Sequence, residues 1–173
     1  MLMKNYVVDS NVLILLGQSL KSGKFENARR GREIEKIATL AVDGKIKLIV
    51  TPTINQEIMR GTKKDNGDAR LVILRFCQLK NFSSEESEKI NNLAKLFIER
   101  NAISRLEDKK FRGIPKDAII MAEACFAGYP LLTNNDRHFC NYWQINDACK
   151  MLGLKGGQQV FSLKRQLITD CDF

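Results

Sequence analysis

Four acidic residues stand where a carboxylate could do chemistry: Asp9 in "NYVVDSNVLI", Glu57 in "TPTINQEI", Asp117 in "IPKDAIIMAEA" and Asp136 in "LLTNNDRHF". Each lies just past a short apolar run or in the opening turns of a helical pattern. Like charges repel, so gathering such acids costs stability unless something positive joins them. Asp and Glu oxygens are the hard ligands that Mg²⁺ and Mn²⁺ prefer. A divalent ion held this way lowers the pKa of a bound water and stabilises the charge that develops on a phosphate during in-line displacement. Each acid also has a plainer account. An acid in the first helical turn, such as Asp117, is favoured by the helix dipole alone. Asp9 could cap the helix that follows it. Glu57 could be a solvated helix residue, and Asp136 could belong to turn chemistry in "TNND". Only the joint pattern goes beyond these accounts.

The elements that must position the acids can be read from periodicity and punctuation. Residues 6–8 and 45–51 read as strands, the second bounded by Gly44 and Pro52. Residues 12–20, 31–43 and 53–60 read as helices, and 69–80 resumes a helical pattern. Ser83 with Glu86 forms a capping-box signature that opens a helix to about residue 100. Pro115 opens a helix to about residue 127, ended by Gly128. Residues 129–133 form a third strand, 142–152 a further helix, and 159–163 a fourth strand followed by a short terminal helix. Strands separated by helices imply a parallel sheet with helices on both faces. Ligands in such folds bind outside the carboxyl ends of the strands. The four acids would then converge on one edge.

The 173 residues suit a single domain, with a tail over 153–173 that the pattern does not assign. A hydrophobic share of 44% and a charged share of 28% fit a globular chain. The net charge of +8 suggests a polyanionic partner, nucleic acid before membrane, against the alternative of a solvated basic surface. Lys109, Lys110, Arg112 and Lys116 immediately precede Asp117, placed to meet an RNA backbone or simply to solvate a loop. Arg29, Arg30 and Arg32 form a second basic cluster. Five cysteines without a CxxC pair argue against a disulfide framework or zinc ribbon and suit buried thiols in the cytoplasm. The first apolar stretch is broken by Asp9, unlike a signal peptide, and no uncharged apolar run reaches the ~18 residues of a membrane span.

Taken in order, "VVDSNVLI", "TPTINQEI", "PKDAIIMAEA" and "LLTNNDRHF" resemble the PIN-domain family of metal-dependent ribonucleases, over residues 6–139. The resemblance implies an α/β fold: a three-layer α/β/α sandwich around a central parallel sheet of four to five strands. It implies two-metal-type chemistry with Mg²⁺ or Mn²⁺ and cleavage of single-stranded RNA. It makes Asp9, Glu57 and Asp117 the metal-ligand core, with Asp136 as the fourth member and Asn135 as its competitor. Ser10 and Asn11 fall in the family's hydroxyl and amide places. Ser10 and Thr133 are suited to orient the carboxylates by hydrogen bonding. Many small members resemble toxins of VapBC-type pairs, which implies a cognate antitoxin and a homodimer. Two alternatives stand beside this. A haloacid-dehalogenase-like phosphatase also places an Asp after its first strand, but needs a second Asp where Asn11 stands. A non-catalytic nucleic-acid-binding module would need only the basic surface. Glu123, six residues beyond Asp117, is expected off the same helical face, and His138, the one histidine, is read chiefly as a surface or packing residue.

Overall fold

A computed structural model describes residues 3–23, 29–61, 74–103, 113–134, 139 and 142–163. The chain order is β1 (Lys4–Val8), α1 (Ser10–Ser22), α2 (Arg29–Val42), β2 (Ile46–Val50), α3 (Pro52–Gly61), β3 (Cys77–Leu79), α4 (Ser84–Glu99), α5 (Lys116–Ala127), β4 (Leu131–Thr133), α6 (Tyr142–Met151) and β5 (Val160–Ser162). The five strands form one sheet in the order β3-β2-β1-β4-β5, and every pairing is parallel. The short, continuous apolar runs of β1 and β2 follow from this. A central parallel strand is covered on both faces, so it reads as uninterrupted Val, Ile and Leu rather than as an alternation. Val7, Val8 and Val50 are accordingly fully buried.

β3 departs from the sequence expectation, which carried a helical pattern through residues 69–80. Cys77–Leu79 instead lies on β2, pairing Leu48 with Cys77 and Val50 with Leu79. As an edge strand of three residues with two exposed, it has no apolar run to announce it. Tertiary pairing, not local propensity, fixes its state. The short helix expected after residue 163 lies outside the described residues.

Right-handed crossovers decide the layers. The chain steps from β1 to β2 to β3 in one direction, then returns past β1 to β4 and β5. This reversal puts α1, α2 and α3 on one face and α4, α5 and α6 on the other. The packing agrees: α1 meets α2 and α3, while α4 meets α5 and α6. The result is the three-layer α/β/α sandwich. The reversal point, between β1 and β4, is where an open sheet of this kind forms a crevice at its carboxyl edge.

One core joins the layers, running from Val12, Leu13 and Leu16 on α1 through the sheet to Phe97 on α4 and Met121 on α5. α5 is Ala-rich, with Ala118, Ala122 and Ala124 buried, so its backbone can approach its neighbours closely. It packs most extensively on α4. α4 is in turn fixed at its start by the expected capping box. Glu86 N donates to Ser83 Oγ at 3.2 Å, and Ser83 N donates to Glu86 Oε2 at 2.7 Å. Among the described residues no helix is long and apolar enough to cross a membrane.

Ser83→Ala removes the cap while leaving the buried face of α4 untouched. It is expected to cost about 1 kcal/mol of unfolding free energy. Urea denaturation measures this, and an unchanged midpoint would show that α4 is held by packing alone.

Candidate functional site

β1 delivers Asp9 to the reversal point. Asp9 N donates to Leu132 O at 2.9 Å, which ties the end of β1 to β4 one residue before Thr133. Asp9 holds the N-cap position of α1, and its carbonyl accepts from Val12 N and Leu13 N, but its carboxylate makes no cap hydrogen bond. Capping therefore does not explain this side chain. It is directed elsewhere: Oδ2 accepts from Thr133 Oγ1 at 2.7 Å and from Asn11 Nδ2 at 2.8 Å, and Oδ1 lies 3.3 Å from Ser10 Oγ. Asp9 is only 3% exposed and has no cationic partner among these contacts.

α3 brings in Glu57. Its side chain is 21% exposed, so it is not the solvated helix residue that the sequence alone allowed. Glu57 Oε2 accepts from Ser10 Oγ at 2.7 Å, and Oε1 pairs with Lys116 Nζ at 3.1 Å. Ser10 has one proton, and the shorter contact assigns it to Glu57. Its oxygen thus stands between two of the acids. Lys116, expected to meet an RNA backbone, also pairs with Glu57 while 43% of its side chain stays exposed.

α5 supplies Asp117 in its first turn, one residue after Lys116 and two after the N-cap Pro115. Asp117 is half-buried and lies close enough to Asp9 for its charge to be felt there, as does Glu57. Burial first, then these two neighbouring carboxylates, push the Asp9 pKa up to about 6, against the opposing pull of its hydrogen bonds. The three acids are thus gathered within electrostatic reach. Asp9 Oδ2 and both Glu57 oxygens are met by protein donors, and among the described residues no three His, Cys, Asp or Glu side chains form a ready-made metal cage. The donor set, hard carboxylate oxygens with an ammonium already drawn to one of them, suits a hard divalent cation.

Asn11 ties the remaining segment in place. While Nδ2 donates to Asp9, Oδ1 accepts from Asn134 N at 3.0 Å. Asn134 is the last described residue before the competing fourth positions. Asp136 and Asn135 lie outside the described residues, as do His138, Lys109, Lys110 and Arg112. Asn11 also stands where phosphatase chemistry would need a second acid, and both ends of its amide are engaged in holding β1 to β4.

Glu123 is the residue that sequence reasoning set aside. It does leave the face of α5 that carries Asp117, but the face it occupies is turned to α3. It is 4% exposed, and Oε1 accepts from Thr53 N at 3.2 Å and Thr53 Oγ1 at 2.9 Å. Burial raises its pKa above the ordinary value, with the Glu57 charge adding to the rise. The signal was present in the sequence. A single charged residue inside "AIIMAEACFA" has to be paired or hydrogen-bonded if that run is buried.

No protein-family model matches the sequence, and no curated protein matches it. Among solved structures, the chain is similar to VapBC2 from Rickettsia felis bound to a DNA fragment from their promoter. The TM-score is 0.57 at 12% identity, over 91% of this chain and 98% of that one. VapBC-1 from nontypeable Haemophilus influenzae aligns over 93% of this chain and 99% of that one, with 12% identity and a TM-score of 0.49. At such identity the first likeness speaks for the fold alone: the chain shares with that structure the three-layer α/β sandwich around a parallel sheet that the sequence led us to expect.

The raised Asp9 pKa sets a pH dependence. The folded state holds this proton more tightly than the unfolded chain, whose Asp has the ordinary value of 3.8. Metal-free stability should therefore fall as pH rises from about 4 to about 6, by an amount on the order of 3 kcal/mol if Asp9 acted alone. Asp9→Asn should raise the metal-free melting temperature at pH 7 and leave it nearly unchanged at pH 4. Scanning calorimetry in EDTA decides this, and an equal effect of the substitution at both pH values would show that Asp9 charge is not the cause.

Proposed function

We propose that the chain is a metal-dependent endoribonuclease that hydrolyses phosphodiester bonds of single-stranded RNA, acting as the toxin of a type II toxin–antitoxin pair. The observation that carries this reading is the gathering of Asp9, Glu57 and Asp117 at the sheet's reversal point, with Asp9 buried and its described hydrogen bonds all from neutral groups. Two further facts support it. The chain carries a net charge of +8, suited to a polyanion, and its fold is shared with a VapBC complex solved with promoter DNA. An antitoxin is the partner proposed for this chain and a homodimer its proposed assembly, both from the resemblance of its four segments to the PIN-domain family, and unpaired cysteines are the ground for proposing the cytoplasm.

Asp9, Glu57 and Asp117 would hold Mg²⁺ or Mn²⁺, with Asp136, or Asn135 in its place, as the fourth member. When bound, such an ion supplies positive charge for the phosphate and acidity for an attacking water. The chain's own residues do the rest. Thr133 and Asn11 hold the Asp9 carboxylate in one orientation, and Ser10 holds Glu57 against the end of β1. Lys116 lies beside Glu57 with 43% of its side chain exposed, so its ammonium can also meet a phosphate oxygen. Lys109, Lys110 and Arg112, which precede Lys116 in the sequence and lie outside the described residues, are the further contacts proposed for the RNA backbone. In hydrolysis the water oxygen bonds to phosphorus, the bond to the leaving ribose oxygen breaks, and that oxygen gains a proton.

Purified protein should cut an end-labelled mixed RNA set in Mg²⁺ or Mn²⁺ and not in EDTA. Asp117→Asn should lower the rate by about a hundredfold or more, since even residues that only orient metal ligands cost 10–100-fold. Folded wild-type protein that cuts nothing in either metal would instead support a binding module without catalysis. Lys116→Ala should weaken RNA binding and lower the slope of log affinity against log salt by about 1. An unchanged slope in a filter-binding titration would remove Lys116 from the RNA contact.

A further inference from the structure

The N-terminus of α3 lacks a cap of its own. Pro52 has no backbone N–H to satisfy, and Asn55 N donates to Thr51 O at 2.9 Å. The Thr51 hydroxyl, at the residue just before the helix, is fully buried and caps no amide of α3 among the described residues; it lies instead against the Glu123 carboxyl, where with Thr53 it favours the charged form. Helices are usually capped by such a local oxygen. Here the oxygen comes from Glu123, 70 residues away on α5, which accepts both the amide and the hydroxyl of Thr53. Its other oxygen, Oε2, is buried as well, and the Thr51 hydroxyl is the further neutral group that favours the charged carboxylate. A buried carboxylate is a costly way to cap a helix. It does achieve something a local Ser or Asp cannot, because it locks α3 to α5.

Those two helices carry two of the acids. Thr53 and Glu57 are four residues apart and share one face of α3, while Asp117 opens α5. We infer that Glu123 is a positioning residue, which fixes the register of α3 against α5 and so holds Glu57 where it can share a divalent cation with Asp9 and Asp117. The inference rests on the proposed metal site and concerns how that site is kept in shape. Glu123 itself is directed at the helix end, not at the substrate.

Three variants test it: Glu123→Leu removes the acceptor at similar volume, Glu123→Gln retains one acceptor oxygen, and Thr53→Val removes one donor. Mn²⁺ affinity is read by titration calorimetry, and amide exchange at Thr53 is compared with Val7, whose N–H donates to Pro130 O in the sheet. In Glu123→Leu, Thr53 exchange should quicken about tenfold relative to Val7, as befits loss of a hydrogen bond to a charged group. Mn²⁺ affinity should fall by about 10–100-fold. On RNA, kcat should fall with KM unchanged, and Glu123→Gln should restore most of the loss. If Glu123→Leu does not fold, Thr53→Val and Glu123→Gln decide, each expected to weaken Mn²⁺ binding severalfold with Val7 exchange intact. Wild-type Mn²⁺ affinity in a folded variant whose Thr53 contact is lost would overturn the inference. A wild-type protein that binds Mn²⁺ but cuts no RNA would sink the nuclease reading alone, because the affinity series still judges Glu123. A wild-type protein that binds no Mn²⁺ would sink both.

Discussion

The structure turns on one carboxylate held at the junction of two strands. Asp9 ends β1, and its backbone and side chain both reach across to β4, through Leu132 O and Thr133 Oγ1. Only a parallel sheet whose chain reverses direction between these strands brings them together, since they are separated by 124 residues at the Asp9–Thr133 bond. The site is therefore a consequence of topology. Shifting the β1–β4 pairing by one residue would turn Thr133 to the other face of the sheet and remove one of the two hydrogen bonds to the buried Asp9 Oδ2. The pairing of Val7 with Leu131 and Val8 with Leu132 excludes that shift.

Burying Asp9 sets up a tension that the surrounding residues only partly relieve. Hydrogen bonds from Thr133 and Asn11 favour the charged form, while desolvation and two nearby acids oppose it, and the opposition prevails. Lys116 offsets the charge of Glu57, at a distance of 3.1 Å, but the hydrogen bonds described for Asp9 all come from neutral groups. Among the described residues, folding thus leaves the site with more negative charge than Lys116 balances. This is the electrostatic condition under which a divalent ion gains most on binding. It also explains how an acidic pocket can persist in a chain whose net charge is +8.

Much of this was legible in the sequence, for identifiable reasons. The helix ends carried explicit chemistry: the Ser83–Glu86 box, Pro115 before α5, and Gly128 after it. The central strands were continuous apolar runs, and Asp9 interrupted such a run at its end. β3 was not legible, because a three-residue edge strand owes its state to β2 and not to its own pattern. The role of Lys116 was half legible. Its position before Asp117 could be read, but its pairing with Glu57 depends on how α3 and α5 lie together. Glu123 was missed because helical spacing from Asp117 was the wrong measure. The spacing excludes a shared face, but says nothing about which helix the other face meets.

That last point bears on how acids should be weighed in folds of this kind. Asp117 and Glu123 occupy one helix and point to different neighbours, yet both act on the placement of the same three carboxylates. Asp117 contributes its charge directly. Glu123 contributes through the end of α3, where a carboxylate also interacts favourably with the positive pole of the helix dipole. A buried acid can therefore belong to an acidic site without adding an oxygen to it. The distinguishing mark is where its hydrogen bonds come from: Asp9 accepts from Asn11 and Thr133 at the junction of β1 and β4, and Glu123 accepts from the amide and hydroxyl at the head of α3.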